Sequence, residues 1–301
     1  MNAVGEQLAA CITKPILIDE PMSGHTSFHI GGPADYLAQP QSVEELQALL
    51  LKAKELSLPV TVMGNGSNLL VRDKGIRGLV IKLGNALMGI AQEGNRLTFG
   101  SGVALALAGS KAAELGLTGM EFACGIPGSI GGAVFMNAGA YDGEMAQIVT
   151  EITVLTPTNE LQRLTAAELD FAYRHSALQG SGLLVVSVTV ELQPCSQEAI
   201  YAKMADFKQR RSSKQPLELP SAGSTFKRPK GYFAGTMIDQ AGLKGYTVGG
   251  AQVSTKHAGC VVNFGGATAA DVLQLIEDVQ KIVQEKYGVL LETEVLVVGE
   301  V

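Results

Sequence analysis

The sequence contains no tryptophan, and only 5% of its 301 residues are aromatic. Platforms that stack single-stranded nucleic acid on aromatic rings are therefore disfavoured. Charged residues make up 17% of the chain and hydrophobic residues 46%, so the chain can bury a large core and is not mainly disordered. The net charge of −6 argues against generic binding to nucleic acid or to an anionic membrane, because both favour positive charge.

Cysteine is scarce and dispersed. The four cysteines, Cys11, Cys124, Cys195 and Cys260, lie far apart and form no C-x-x-C pair. Such spacing fits neither a zinc site nor a disulfide framework, so no metal site is predicted. We expect four buried free thiols in a reducing compartment.

The sequence also contains no segment with the pattern of a signal peptide or of a membrane-spanning helix. The first 18 residues lack the charged start and the long apolar run of a signal peptide. The stretch 122–141 carries no charge, but it contains Pro127, Asn137 and five glycines. We expect a glycine loop there rather than a membrane helix, and a soluble, cytoplasmic protein without membrane insertion.

Glycine, in contrast, is abundant: 36 of 301 residues, or about 12% against a usual ~7%. One dense cluster, Gly64-Asn65-Gly66-Ser67-Asn68, follows the predicted strand 59–63. Converging backbone N–H groups in such a turn can bind phosphate oxygens. The P-loop pattern is absent, and G-x-G-x-x-G fails because Leu69 occupies its last position, which leaves a simple turn between strands as the alternative.

A second glycine-rich loop extends from Gly125 to Tyr141. Ser129 can cap a short helix there, and the amides at the start of that helix would favour an anion. Two such loops in one domain suggest a long ligand that carries a diphosphate.

Hydrophobic periodicity predicts helices over 43–56, 103–115, 196–211 and 268–287, with Ser42 and Thr268 as caps and Gly288 as a stop signal. It predicts strands over 59–63, 69–71, 78–81, 148–155, 183–192 and 289–298. A change of composition near residue 195 places a domain boundary near 200. We therefore expect a larger α+β domain followed by a smaller α/β domain.

Six motifs occur in order along the chain: SFHIGGPAD at 27–35, GNGSN at 64–68, GIPGSIGGAVFMNAGAY at 125–141, YRHS at 173–176, GSTFKRP at 223–229 and LETEV at 291–295. Together they resemble the UDP-N-acetylenolpyruvoylglucosamine reductase family of flavoenzymes, over essentially the whole chain. The short segment after Tyr173-Arg174 is similar to the compact, second-type branch. Asp142 and Leu178 depart from the residues common in the family.

This resemblance implies a two-part FAD-binding domain of the vanillyl-alcohol-oxidase/PCMH type, at 1–200 and split near 85–95, and a substrate-binding domain at 201–288. The closing strand 289–301 would carry a catalytic glutamate and could return to the FAD domain. The implied reaction belongs to peptidoglycan precursor synthesis, and hence to cell-wall biogenesis, cell shape and cell division. In it NADPH reduces non-covalently bound FAD, and the UDP-sugar enolpyruvyl group is reduced to give UDP-N-acetylmuramate.

The resemblance also implies roles for three residues of the chain. Arg174 would hold the substrate carboxylate with its guanidinium fork, Ser224 would donate a proton, and Glu294 would assist by hydrogen bonding or proton donation. The implied cofactor-binding residues are Gly64, Asn65, Gly66, Ser67, Asn68, Gly125, Pro127, Ser129, Gly132 and Asn137. Tyr141, Lys214 and Arg228 are the expected substrate-binding residues.

A basic stretch supports an anionic substrate independently. Residues 203–230 contain eight Lys and Arg against two Asp and Glu, a local charge of +6 in a chain of net −6. Two alternatives stay open: another FAD-dependent oxidoreductase of the same fold, and a non-catalytic nucleotide- or RNA-binding module that uses this stretch. The sequence leaves the oligomeric state open.

Overall fold

The computed structural model describes residues 2–301. Its helices are α1 Ala3–Ala9, α2 Val43–Glu55, α3 Leu105–Glu114, α4 Ile130–Phe135, α5 Gln197–Lys214, α6 Ala234–Gln240 and α7 Ala269–Tyr287. Its strands are β1 Leu17–Pro21, β2 Pro33–Ala38, β3 Val60–Met63, β4 Leu69–Val71, β5 Ile76–Lys82, β6 Ile90–Glu93, β7 Arg96–Gly100, β8 Leu117–Thr118, β9 Gly139–Ala140, β10 Gly143–Glu144, β11 Val149–Leu155, β12 Leu161–Thr165, β13 Leu184–Glu191, β14 Gln193–Pro194, β15 Thr247–Val248, β16 Ala251–Val253, β17 Val261–Asn263 and β18 Leu296–Val298.

The chain divides into two compact units. The first comprises residues 1–18, 36–65 and 78–211, and the second comprises 19–35, 66–77 and 212–301. The last division lies close to the boundary expected near 200, while two short early segments join the C-terminal residues. The assignment of functional domains to 1–200, 201–288 and 289–301 stays a prediction.

The first unit contains a five-stranded sheet in the order β12-β11-β13-β7-β6, in which every neighbouring pair is antiparallel. Its core includes Leu97, Phe99, Val188 and Val190 from the sheet, together with Ala108 of α3, and all five are fully buried. The alternation of apolar residues along β13 is the period-two pattern that predicted this strand.

A second core of the first unit forms around α2 and the parallel pair β3–β5, in which Met63 lies opposite Lys82. Ser42 caps α2 by accepting a hydrogen bond from the Glu45 N–H at 3.2 Å, as predicted. The helix buries Leu46, Leu49 and Ala53 against this core.

The second unit has a three-stranded antiparallel sheet, β15-β16-β17, and a parallel pair formed by β18 and β4. Helix α7 packs on its core through Val272, Leu275, Val279 and Val283. Thr268 and Gly288 cap this helix as predicted. Asp73 adds a second cap, because its carboxylate accepts hydrogen bonds from the Ala269 and Ala270 N–H groups at 2.8 and 2.9 Å.

The predicted strand over 289–298 and the predicted burial of all four cysteines are both wrong. Instead of one strand over 289–298, the structure has a bridge between Thr293 and Phe226 and the short strand β18. The cysteines are free, but only Cys260 is buried, while Cys195 is exposed and Cys11 and Cys124 are partly buried. Within residues 2–301, no helix combines the length and apolar character needed to cross a membrane. The stretch 122–141 includes α4, which has only six residues.

Candidate active site

Two glycine-containing turns meet in the first unit. A Cβ atom added at Gly64 would collide with the Ser129 Oγ, so a larger residue there would force the serine or the turn to shift. Ser129 is buried and caps α4, accepting a long hydrogen bond of 3.4 Å from the Gly132 N–H. The structure therefore brings Gly64 of the first predicted loop together with Ser129 and Gly132 of the second.

The first amides of α4 do not form the anion site that was expected from the sequence. The Ile130 N–H donates to the Val103 carbonyl at 2.8 Å, and the Gly131 N–H donates to the Ser101 carbonyl at 3.0 Å. Because these donors already bond within the protein, they are not available to a phosphate. This part of the prediction is wrong for the Ile130 and Gly131 amides.

Two buried side-chain atoms in this region lack a hydrogen-bond partner within residues 2–301: the Asn65 Oδ1 and the Ser101 Oγ. Such atoms are rare in folded proteins and indicate a missing partner. A ligand rich in hydroxyl and phosphate groups would supply both an acceptor and a donor, and FAD has this chemistry. The residues present therefore fit FAD.

Lys82 ends β5 opposite Met63, the residue that precedes Gly64. It is half-buried, and this burial lowers the pKa of its ammonium group. Lys82 is therefore paired with the residue that precedes the first glycine turn. The sequence motifs gave no signal for it.

Asn137 is fully buried, and both ends of its amide bond to the backbone. Its Nδ2 donates to the Ala172 carbonyl at 3.0 Å, and its Oδ1 accepts from the Ala146 N–H at 2.9 Å. We therefore interpret Asn137 as a residue that holds the second loop, rather than as a direct cofactor contact. Pro127 is exposed in the same loop.

Helix α5 packs along the second loop. The Phe207 ring stacks on Tyr141 with centroids 4.5 Å apart and an interplanar angle of 15°. One turn later, the Arg211 Cδ lies 2.9 Å from where a Cβ of Gly125 would stand, so the missing side chain leaves room for this arginine. The Tyr141 backbone is left-handed, with φ +53°. The predicted substrate-binding tyrosine is thus held by an aromatic partner.

Arg174 lies in a tight turn that is closed by two hydrogen bonds between Ala172 and His175, at 3.2 and 3.1 Å. Its own φ is +54°, and its guanidinium donates to the Gly139 carbonyl at 3.3 Å. The same guanidinium lies 5.0 Å from the centre of the exposed Tyr173 ring. Arg174 is therefore oriented towards the loop that carries Tyr141.

In the second unit, the chain segment that contains Ser224 pairs with the segment that contains Glu294. Phe226 and Thr293 form an antiparallel bridge, and the Glu294 N–H donates to the Thr225 carbonyl at 2.8 Å. Ser224, the residue before Thr225, is exposed, so its hydroxyl is accessible to a ligand. These two predicted catalytic residues lie on adjacent chain segments, and the approach of Arg174 to them stays a prediction.

The end of the first glycine cluster belongs to this second unit. The Asn68 Nδ2 donates to the Glu294 carbonyl at 3.0 Å, which fixes the backbone of the glutamate. The Gly66 carbonyl accepts from the Ser27 N–H at 3.2 Å, which joins the turn that contains Ser67 to the first motif. The motif at 64–68 therefore forms the first turn and, through Asn68, also holds the backbone of Glu294.

The remaining predicted substrate residues are exposed. Lys214 ends α5, and the Arg228 guanidinium lies over the exposed Phe233 ring at 4.6 Å. His257, outside these predicted residues, accepts a hydrogen bond from the Gly259 N–H at its Nδ1. Burial lowers the pKa of His257, and the Lys244 ammonium lowers it further.

Comparisons with known protein families divide the chain in two. A family model described as "FAD binding domain" matches residues 34–165, which include Gly64, Asn65, Ser101 and Ser129. A second family model, described as "UDP-N-acetylenolpyruvoylglucosamine reductase, C-terminal domain", matches residues 215–298. The predicted α+β class, with an FAD-binding domain followed by a C-terminal domain, is confirmed.

Individual relatives cover nearly the whole chain. The UDP-N-acetylenolpyruvoylglucosamine reductase of Agathobacter rectalis is 54% identical over 95% of this chain and 94% of its own, and that of Levilactobacillus brevis is 53% identical over 95% and 93%. The crystal structure of the enzyme from Thermus caldophilus superposes with a TM-score of 0.80 at 36% identity, covering 94% of this chain and 97% of that one. The chain therefore belongs to the UDP-N-acetylenolpyruvoylglucosamine reductase family.

Proposed function

We propose that this protein is the FAD-dependent oxidoreductase that reduces UDP-N-acetylglucosamine enolpyruvate to UDP-N-acetylmuramate, with NADPH as the reductant. Family membership over 95% of the chain and the match to an FAD-binding domain support this proposal. Bound FAD supplies the hydride transfer between NADPH and the enolpyruvyl double bond. NADPH and a UDP-sugar are cytoplasmic metabolites, so we place the reaction in the cytoplasm. Its product is a peptidoglycan precursor, which links the activity to cell shape and division.

The reaction makes two demands on the side chains. When hydride adds to the terminal carbon of the enol ether, negative charge develops on the neighbouring carbon and on its carboxylate. Donors held in place before the reaction stabilise this charge, and the neighbouring carbon then needs a proton. We assign the carboxylate contact to Arg174, whose guanidinium offers two parallel N–H donors.

The proton comes from Ser224 in this proposal. The carbon that carries the charge is strongly basic, so a positioned hydroxyl can act as the acid although its pKa is ordinarily high. Glu294 lies on the paired segment, where its carboxyl can form a hydrogen bond with the same intermediate. The observation that supports this assignment is the hydrogen bond at 2.8 Å between the Glu294 N–H and the carbonyl of Thr225, the residue after Ser224.

Binding of the UDP-sugar uses side chains with complementary charge. We assign the diphosphate to Lys214 and Arg228, both exposed cations of the basic stretch 203–230. Tyr141, whose ring stacks on Phe207, is a further proposed substrate contact.

Stopped-flow absorbance tests the function directly. Mixing the yellow protein with NADPH in the absence of oxygen should bleach the flavin band, and adding the enolpyruvyl UDP-sugar should restore it. Mass spectrometry should then show the substrate heavier by two hydrogens. A flavin that oxygen reoxidises but the sugar does not would indicate another oxidoreductase of this fold and contradict the proposal.

A further inference from the structure

Ser101 is a buried serine directly after β7, and none of the sequence motifs includes it. The residue is 2% exposed, and its Oγ has no hydrogen-bond partner among residues 2–301. Its backbone is fully engaged: the Ser101 N–H donates to the Val186 carbonyl at 2.8 Å, and its carbonyl accepts from the Gly131 N–H at 3.0 Å. The hydroxyl is therefore the polar group of this residue that has no partner within residues 2–301.

Ser101 lies close to the second glycine turn. A Cβ at Gly131 would lie 2.8 Å from the Ser101 Cβ, so the serine packs directly against the first turn of α4. Ser129, at the start of that helix, meets Gly64 of the other turn. The unpaired hydroxyl thus lies beside the region in which the two turns meet.

The second unpaired atom lies close by in the fold. A Cβ at Gly84 would collide with the Asn65 Oδ1, and the next residue, Asn85, donates its N–H to the Gly102 carbonyl at 3.2 Å. Gly102 follows Ser101 directly, so one short path of contacts joins the two residues. The Asn65 Oδ1 needs a donor, and the Ser101 hydroxyl can donate or accept, so a single ligand that carries donors and acceptors would satisfy both.

We propose that the Ser101 hydroxyl donates a hydrogen bond directly to bound FAD, as an additional cofactor-binding residue. This inference rests on the proposed function, which requires FAD in the first unit. The amides of Ile130 and Gly131 already bond within the protein, so a hydroxyl is the donor that this side of the turns can offer. FAD presents phosphate, ribityl and ring acceptors along its length, and any of these can receive the Ser101 proton.

The test compares wild type, Ser101→Ala and a matched control, Thr189→Val, after the flavin has been removed. Thr189 is also buried, but its hydroxyl has a protein partner, the Thr98 Oγ1, at 2.9 Å. Titration calorimetry gives the Kd for FAD, and differential scanning calorimetry gives the unfolding temperature of each flavin-free protein.

We expect Ser101→Ala to weaken FAD binding about five- to tenfold, the effect of losing one hydrogen bond. Its flavin-free form should unfold at a temperature no lower than that of wild type, because the unpaired buried hydroxyl is gone. Thr189→Val should show the opposite pattern, a lower unfolding temperature with an unchanged Kd.

An unchanged Kd for Ser101→Ala, with wild type binding FAD, would overturn the inference and leave the proposed function intact. A weaker Kd together with a lower unfolding temperature of the flavin-free variant would identify a structural hydroxyl, for example one bonded to a trapped water, and would also overturn it. Failure of wild type to bind FAD would instead contradict the proposed function.

Discussion

At the scale of single residues, the position of Ser224 allows a direct separation of its chemical and structural roles. The hydroxyl is exposed, and the adjacent Thr225 holds the backbone by pairing with Glu294 and Val261. Replacing Ser224 by alanine removes the proposed proton donor without disturbing these bonds. We expect flavin reduction by NADPH to stay within about twofold of wild type, while reoxidation by the enolpyruvyl sugar slows at least about 100-fold.

Rapid-mixing absorbance measures the two half-reactions separately. Ser181→Ala, an exposed serine in a turn of the first unit, is the control and should leave both rates unchanged. If Ser224→Ala slows both half-reactions equally, Ser224 supports the structure and is not the proton donor.

His257 gives a second prediction at this scale, for stability against pH. Burial, opposed by a backbone hydrogen bond and reinforced by the Lys244 ammonium, lowers the pKa of His257 in the folded protein. Below about pH 6.5, the ordinary pKa of histidine, the unfolded chain therefore binds more protons at this residue than the folded protein does. Stability is therefore lost as the pH falls from that value to the lowered pKa, below which this loss levels off.

Urea unfolding between pH 7.5 and 5 measures this effect. The free energy of unfolding of His257→Gln should decline less over this range than that of wild type. His175→Gln, in the first unit, controls for the loss of an imidazole. Parallel pH profiles for wild type and His257→Gln would refute the assignment.

At the scale of elements, the two glycine turns approach closely at Gly64, and a second substitution can relieve the clash that a larger residue would cause there. Gly64→Ala should clash with the Ser129 Oγ and push the turns apart. We expect FAD affinity to fall at least about tenfold, because ligand contacts depend on precise spacing. The double variant Gly64→Ala/Ser129→Ala removes the clashing oxygen and should recover much of the affinity.

Calorimetric titration of the flavin-free proteins measures these affinities, with Ser129→Ala alone as the control. If the double variant binds FAD no better than Gly64→Ala, the clash with Ser129 is not the cause of the loss.

The start of α7 supports a separate prediction about stability. Asp73 accepts hydrogen bonds from two first-turn amides, and its charge also favours the positive end of the helix dipole. Asp73→Ala should lower the free energy of unfolding by about 1–2 kcal/mol, the range measured for helix caps. Asp73→Asn keeps an acceptor and should lose less.

Urea denaturation monitored by circular dichroism gives this free energy. Glu285→Ala, at an exposed position of the same helix, should stay within about 0.5 kcal/mol of wild type. A loss for Asp73→Ala as small as that of Glu285→Ala would show that the cap does not contribute.

Elements with local signals were predictable from the sequence, and those defined by distant pairing were not. Helices α2 and α7 carry their own caps and apolar faces, so Ser42, Thr268 and Gly288 marked their limits correctly. The predicted strand 289–298 is shorter because β18 pairs only with the three residues of β4. No local pattern reveals the length of a distant partner.

In the site, too, residues within local motifs were predictable, whereas contacts between distant segments were not. The motifs identified Ser224 and Glu294, which the structure places on paired segments. They also suggested that the amides of α4 bind an anion, but Val103 and Ser101 accept those bonds from another part of the chain. Ser101 itself stands outside every motif, and only its burial without a partner draws attention to it.

At the scale of the whole molecule, charge is distributed unevenly along the chain. Residues 203–230 carry +6, so the other residues carry −12 to reach the total of −6. A cationic stretch accelerates the approach of an anionic substrate, and salt screens this attraction. We expect kcat/KM for the enolpyruvyl UDP-sugar to fall several-fold between about 0.05 and 0.5 M salt.

Steady-state kinetics across this salt range tests the effect. The variant Lys208→Gln/Lys230→Gln, within the stretch, should show a weaker salt dependence than wild type. Lys52→Gln/Lys54→Gln, which removes two charges from α2, should match wild type. Equal salt dependence in both variants would show that the stretch has no special role.

The discontinuous second unit has a consequence for how the polypeptide acquires its form during synthesis. Segments 19–35 and 66–77 leave the ribosome long before residues 212–301, with which they form a compact unit. Until β18 is made, β4 has no parallel neighbour, and the segment that holds Glu294 is not available to Asn68. A nascent chain arrested near residue 211 would expose these early segments to proteases and chaperones, whereas its release after the final strand would protect them.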